Sequence, residues 1–137
     1  MIKFNVINRT DRGTYTCYAV NKYNESSAYL DIIIKYGPGH VSINTESPVT
    51  INESQHLKPI QCTADCEPDC TYSWTGPSNF SRDGSILQIN SIKRTDDGIY
   101  TCKAYNKYNN SSGKVNIVVQ YGPDTIILNS PKERYTE

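Results

Sequence analysis

Asp96-Asp97-Gly98-Ile99-Tyr100-Thr101-Cys102 reads DDGIYTC, and the same stretch stands earlier in the chain as DRGTYTC, Asp11 to Cys17. The later copy has an upstream cysteine, Cys62, 40 residues before Cys102; the earlier copy has none. Cys17 and Cys102 are 85 residues apart, and sliding the chain by that length aligns Phe4 to Pro38 with Ile89 to Pro123 without a gap, with 20 of 35 positions identical. Self-similarity of this kind marks a structural repeat, here of about 85 residues. The same shift lays Asp124 to Asn129 on Gly39 to Asn44, so a further copy is expected to begin after Pro123. The chain is therefore expected to hold the C-terminal part of one unit over residues 1–36, a complete unit over 37–121 and the start of another over 122–137. In this register the counterpart of Cys62 falls before Met1, so Cys17 is expected to be unpaired here and Met1 to be internal to a longer protein.

The composition sets bounds on what such units do. A length of 137 residues suits one ordinary domain with a real core and something left over. Fourteen basic and fourteen acidic residues cancel, so no long-range field draws the chain toward nucleic acid or an anionic membrane. Five cysteines, with abundant Asn, Ser, Thr and Tyr, fit a secreted β-rich module better than a cytosolic one. No apolar run approaches the roughly 18 to 20 residues of a membrane span. Met1 to Asn5 opens neither a basic n-region nor an apolar h-region. Any signal or membrane anchor is therefore expected outside this sequence.

Between Pro38 and Tyr121 short runs alternate with period two between turn residues, and no stretch sustains a helical period. Strands are predicted over Val41 to Asn44, Val49 to Asn52, Leu57 to Thr63, Thr71 to Thr75, Ser85 to Ile89, Gly98 to Asn106 and Lys114 to Tyr121. Seven short strands predict an all-β, two-sheet sandwich. Cys62, then Trp74, then Cys102 preceded two residues earlier by Tyr100, with Asp96 and Gly98 before it, resembles the immunoglobulin superfamily. The resemblance implies a Greek-key sandwich, a Cys62–Cys102 bond between the sheets packed on Trp74, and a tyrosine corner at Tyr100. The modest separation of the two cysteines leaves little room for the extra edge strands of a variable-type domain, so a C2-like or I-like set is expected. Tyr100, Cys102 and Ala104 are then predicted to face inward, as are Val115, Ile117 and Val119. Residues 1–36 supply only strands E to G of their unit, and Tyr15, Cys17 and Ile32 would lack an opposing sheet.

Cys66 and Cys70 flank Glu67-Pro68-Asp69 and lie outside the common pattern. Their spacing allows a small loop disulfide, for which the chain-entropy estimate is roughly 2 kcal/mol. A metal site from Cys62, Cys66 and Cys70 is the rival, but no second ligand pair stands at structural-zinc spacing. Glycosylation sequons occur at Asn8, Asn24, Asn52, Asn79, Asn109 and Asn110; Asn24 and Asn109 are repeat equivalents in the turn between the last two strands. Disulfides and sequons together predict the secretory route and an extracellular location.

No catalytic constellation is legible. His40 and His56 have no nucleophile and orienting carboxylate arranged as a triad requires. No phosphate-cradling glycine loop is present, Gly98 belonging to the corner before strand F. Asp96 is expected to order that corner, with Arg82 or Arg94 as its partner. The reading is of a protein that is not an enzyme and needs no cofactor. Two surfaces are candidates for recognition. One is the end of the sandwich carrying the B–C loop, Asp65 to Thr71, and the F–G loop, Lys107 to Ser111. The other is the outer C–F–G face, with Thr71, Ser73, Thr75, Thr101, Lys103, Tyr105, Asn116 and Val118, in which Tyr105 is the natural anchor. The connectors Tyr36-Gly37-Pro38 and Tyr121-Gly122-Pro123 are short and predict end-to-end stacking in a semi-rigid rod. These YGP junctions and the Tyr72-Ser73-Trp74 run resemble tandem domains of carcinoembryonic-antigen-related cell adhesion molecules, and the array is also similar to hemicentin. The resemblance implies cell adhesion or cell-surface recognition, with other cell-surface or matrix proteins, a second copy of the chain or glycans as partners. Two further readings are an immune-type receptor binding a foreign glycan or protein through the two loops, and the ectodomain of a receptor tyrosine kinase.

Overall fold

A computed structural model gives the structure of residues 1–126; the rest of the expected third unit lies outside the described residues. Residues 13–32 form one antiparallel hairpin, β1 (Gly13–Val20) on β2 (Glu25–Ile32). Eight strands make up the described part of the complete unit: β3 (Val41–Ile43), β4 (Val49–Asn52), β5 (Ile60–Ala64), β6 (Thr71–Thr75), β7 (Ser81–Asp83), β8 (Ile86–Leu87), β9 (Gly98–Tyr105) and β10 (Asn110–Gln120). They build two sheets, ordered β4-β10-β9-β6-β7 and β3-β5-β8. The chain changes sheets between β3 and β4, so β4 runs parallel to β10, with Val49 opposite Ile117, while β3 pairs antiparallel with β5.

Alternation along the strands decides what lies between the sheets. Tyr100, Cys102 and Ala104 of β9 and Val115, Ile117 and Val119 of β10 are all buried, and Thr101, Lys103 and Tyr105 turn outward. Trp74, Leu87 and Ile92 complete the centre, each at most 1% exposed. Burial of each large aliphatic side chain stabilises the fold by about 1.5 to 3 kcal/mol. The Trp74 indole N–H donates to Ser85 O at 3.1 Å, so the ring is buried without leaving its polar atom unpaired. Cys62 and Cys102 are bonded across the two sheets, Cα to Cα 6.5 Å, and both are fully buried. The unit is an all-β immunoglobulin-like sandwich.

Several expectations need correction. Residues 1–36 form two strands rather than three: the E-strand positions, Met1 and Ile2, have no B strand to pair with, whereas their equivalents Ile86 and Leu87 pair with β5. An eighth strand, β7, appears in the complete unit as a short edge on β6, with Ser73 opposite Asp83. It joins the C–F–G sheet and so stands as C′ rather than D. Its sequence, Ser81-Arg82-Asp83, has no apolar alternation because all three residues are exposed. The B strand starts at Ile60 rather than Leu57, since Pro59 has no N–H to give a ladder. The G strand starts four residues earlier than expected, at Asn110, because β10 follows β9 to its very end.

Candidate recognition surfaces

The loop end of the complete unit is a joint. Between β5 and β6 the Cys66–Cys70 disulfide closes a ring, and its Glu67 backbone forms a two-hydrogen-bond bridge with Tyr36 of the connector, N to O 2.7 and 3.0 Å. The Asn106 amide donates to Tyr36 O at 2.8 Å and to Pro68 O at 2.9 Å, tying connector, ring and F–G turn together. The Tyr36 hydroxyl donates to Asp65 at 2.9 Å, which, with partial desolvation and the Asp65 charge, holds the phenol above its ordinary pKa. Arg9, on a short 3-10 turn before β1, stacks its guanidinium 4.0 Å from the Tyr36 ring centre, reaches Asp65 at 3.3 Å and donates to Gly37 O at 3.3 Å. Gly37 is buried so tightly that a Cβ there would lie 2.2 Å from Cβ of Asn109, which only glycine avoids. The B–C and F–G loops of the expected loop-end surface are therefore engaged by the preceding segment.

Of the junction residues, Arg9, Tyr36 and Asn106 are not among the site candidates expected from sequence. The repeat carries a signal for two of them: Arg9 and Tyr36 recur as Arg94 and Tyr121. The second pair is stacked in the same way, 4.2 Å from guanidinium to ring centre. Arg94 also holds Glu53 at 3.2 Å and Asp124, just after the next connector, at 2.6 Å, which keeps it charged more firmly than an ordinary arginine.

The outer sheet face stays open. Register puts Thr71 directly opposite Tyr105, Ser73 opposite Lys103 and Thr75 opposite Thr101. Thr71, Lys103 and Tyr105 are exposed and Ser73 is half-buried; Asn116 and Val118 continue the face on β10. Lys103 leans toward the Tyr105 ring, 5.9 Å from its centre. Asp83 closes the row on the C′ edge, opposite Ser73. The face offers hydroxyls, one exposed aromatic ring and a cation.

The corner residues act on the fold. Tyr100 donates to Asp96 O at 3.1 Å, and burial, with a smaller contribution from the Asp96 charge, pushes its phenol up to about 12. Asp96 does not pair with either arginine. Its carboxylate accepts the Lys93 N–H at 2.8 Å, while Arg94 turns to Glu53 and Asp124 and Arg82 donates to Gln88 O. A carboxylate three residues from an open backbone N–H meets it at no cost in chain ordering, which a long arginine cannot match. Gly98 adopts φ +136°, and a Cβ there would press on Pro77 at 2.8 Å. Cys17 is exposed and unbonded. The sequon asparagines Asn8, Asn24, Asn52, Asn79, Asn109 and Asn110 are all exposed, with Asn110 opposite Tyr105 at the margin of the outer face.

Comparison with known proteins agrees with this architecture. The family model described as Immunoglobulin domain matches residues 40–106. Human IgLON family member 5 is 31% identical over 116 residues, covering 82% of this chain and 34% of the relative. The rat limbic system-associated membrane protein is 29% identical over 131 residues, covering 92% of this chain and 38% of the relative. The chain thus spans little more than a third of these relatives. A crystal structure of DIP-gamma IG1+IG2 has a TM-score of 0.69 at 20% identity, covering 85% of this chain and 63% of that one. A chain from the crystal structure of Dpr11 IG1 bound to DIP-gamma IG+IG2 gives 0.62 at 21% identity, covering 82% of this chain and 62% of that one. At that identity the structures speak for the fold.

Proposed function

We propose that this chain, which carries an immunoglobulin domain, is a segment of an extracellular, non-enzymatic tandem array working in cell adhesion or cell-surface protein recognition. The observation that carries the reading is the division of labour between the two surfaces: the loop end is consumed by the joint, and the outer C–F–G face is left free. A joint held by backbone pairing, a stacked arginine and a flush glycine favours a stiff rod, and a rod presents sheet faces sideways to partners. Two disulfides and exposed sequons support an extracellular address. The membrane name of the rat relative and the complex of Dpr11 with DIP-gamma support cell-surface proteins as partners, with any attachment to the membrane made through a segment outside this one. The YGP junctions keep carcinoembryonic-antigen-related molecules and hemicentin as the architectural analogues.

Soluble multimers of the full chain test this on a panel of cells by flow cytometry. Binding should be lost on Tyr105→Ala with Lys103→Ala and kept on His56→Ala. Binding that ignores the face and disappears on Cys66→Ser with Cys70→Ser would instead favour the loop-reading immune-type receptor. That alternative has against it the engagement of Asp65, Glu67 and Asn106 by the connector. The kinase-ectodomain reading shares the same extracellular segment and separates from the array only through sequence C-terminal to Glu137.

A further inference from the structure

The two hairpins present the same register, so their outward positions can be compared one by one. In the first, Thr16 stands opposite Tyr29 and Tyr18 opposite Ser27; in the second, Thr101 stands opposite Lys114 and Lys103 opposite Ser112. A diagonal pair of tyrosines has become a diagonal pair of lysines. Glu25 and Asp31 flank the tyrosines where Asn110 and Asn116 flank the lysines. Within the strands, the outward face of β1 and β2 thus carries two carboxylates and no base, and that of β9 and β10 two ammonium groups and no acid, the nearest acid being Asp83 across Ser73. Tyr18 and Tyr29 are 78% and 75% exposed. That exposure does not come from a missing sheet, because the equivalent Lys103 and Lys114 face solvent in the complete unit.

We infer that these faces are complementary, and that the tyrosine face of the first unit in one copy docks on the lysine face of the complete unit in a second copy. The inference rests on the adhesion reading and names its partner: another copy, offset by one unit. Lys103 and Lys114 meet tyrosine ring faces and the carboxylates of Glu25 and Asp31, combining cation–π with charge pairing. Pairing in register, each unit on its own equivalent, sets Lys103 and Lys114 against their own copies and carboxylate against carboxylate, which costs affinity. A duplicated sequence would otherwise favour in-register contact, so substitution at these four positions selects the offset one. Asp31 accepts from Thr14 through one oxygen at 2.5 Å and keeps the other for a partner.

Sedimentation velocity of the full chain tests this, with Lys103→Glu/Lys114→Glu, which makes both faces acidic, and Glu25→Lys/Asp31→Lys, which makes both basic. The natural chain should self-associate and weaken as salt rises. Each variant alone should associate about tenfold more weakly or worse, and an equimolar mixture should recover the natural behaviour, since each variant then meets a complementary face. All four side chains are exposed, so unchanged denaturation midpoints establish that the variants fold. Association that is indifferent to salt and to both variants, or a mixture that fails to recover, overturns the inference; it would point to the uncovered inner face of the hairpin. A chain that stays monomeric yet binds cells through Tyr105 overturns the self-docking alone and leaves the adhesion reading in place. One that does neither removes both.

Discussion

Residues 4–38 and 89–123 carry nearly the same sequence in two different surroundings. Their turns are alike to within about 0.3 Å: Asn8 N–H to Asp11 at 2.7 Å and Lys93 N–H to Asp96 at 2.8 Å, with the Oδ1 of Asn21 and of Asn106 each accepting from the hairpin turn at 2.9 and 3.2 Å. Gly13 and Gly98 share a positive φ, +143° and +136°. Their burial is opposite. Cys17 is exposed and unbonded where Cys102 is fully buried and bonded, and Leu30 is 62% exposed where Val115 is 1%. The comparison separates two kinds of information. Local hydrogen bonds and backbone preferences build the hairpin wherever its sequence stands, while the core is a property of the sheet laid against it.

Substitution at the two cysteines should widen the contrast most. Cys102→Ser is expected to destabilise the complete unit by about 2 to 5 kcal/mol, read from denaturant unfolding, because it opens the inter-sheet bond and leaves a hydroxyl in the core. Cys17→Ser should move the same transition by less than about 0.5 kcal/mol. Equal effects would mean that Cys17 is also packed. The next contrast is between the tyrosine corners, Tyr15 and Tyr100. A phenol whose folded pKa is raised stabilises the fold fully below its unfolded value near 10, and that contribution is lost as pH climbs through the folded value, about 12. About two pKa units correspond to roughly 2 to 3 kcal/mol, so stability should fall between roughly pH 10 and 12 and Tyr100→Phe should remove that slope. A slope that survives Tyr100→Phe would assign it elsewhere. The smallest effect is expected at the joint. Opening the ring by Cys66→Ser/Cys70→Ser should cost the sandwich about 2 kcal/mol or less, since so small a ring constrains the unfolded chain little. Amide exchange at Tyr36 and Glu67 should nonetheless rise, because their paired N–H groups lose the ring that presents them. Unchanged exchange there would show that the connector holds without the disulfide.

Much of the fold was legible because its signals are local or pairwise. Val49–Asn52 and Thr71–Thr75 form strands over the predicted residues, and the inward alternation of β9 and β10 follows the apolar pattern. The edge strand β7 was not legible, since an exposed strand needs no apolar residue to mark it. Nor could the role of the loop end be read, because it depends on where the connector arrives: Tyr36 lies 31 positions before Glu67, and no pattern in either stretch announces their pairing.

The chain by itself determined the repeat, the hairpin turns, the corner glycines and the alternation that makes an all-β sandwich. Each arises from forces acting within a few residues or from one periodicity. Tertiary structure alone decided where the edge strand β7 pairs, and which surface is joint and which is free. Those outcomes depend on what lies across the sheet or beyond the connector, and burial, unlike a turn, exists only between partners.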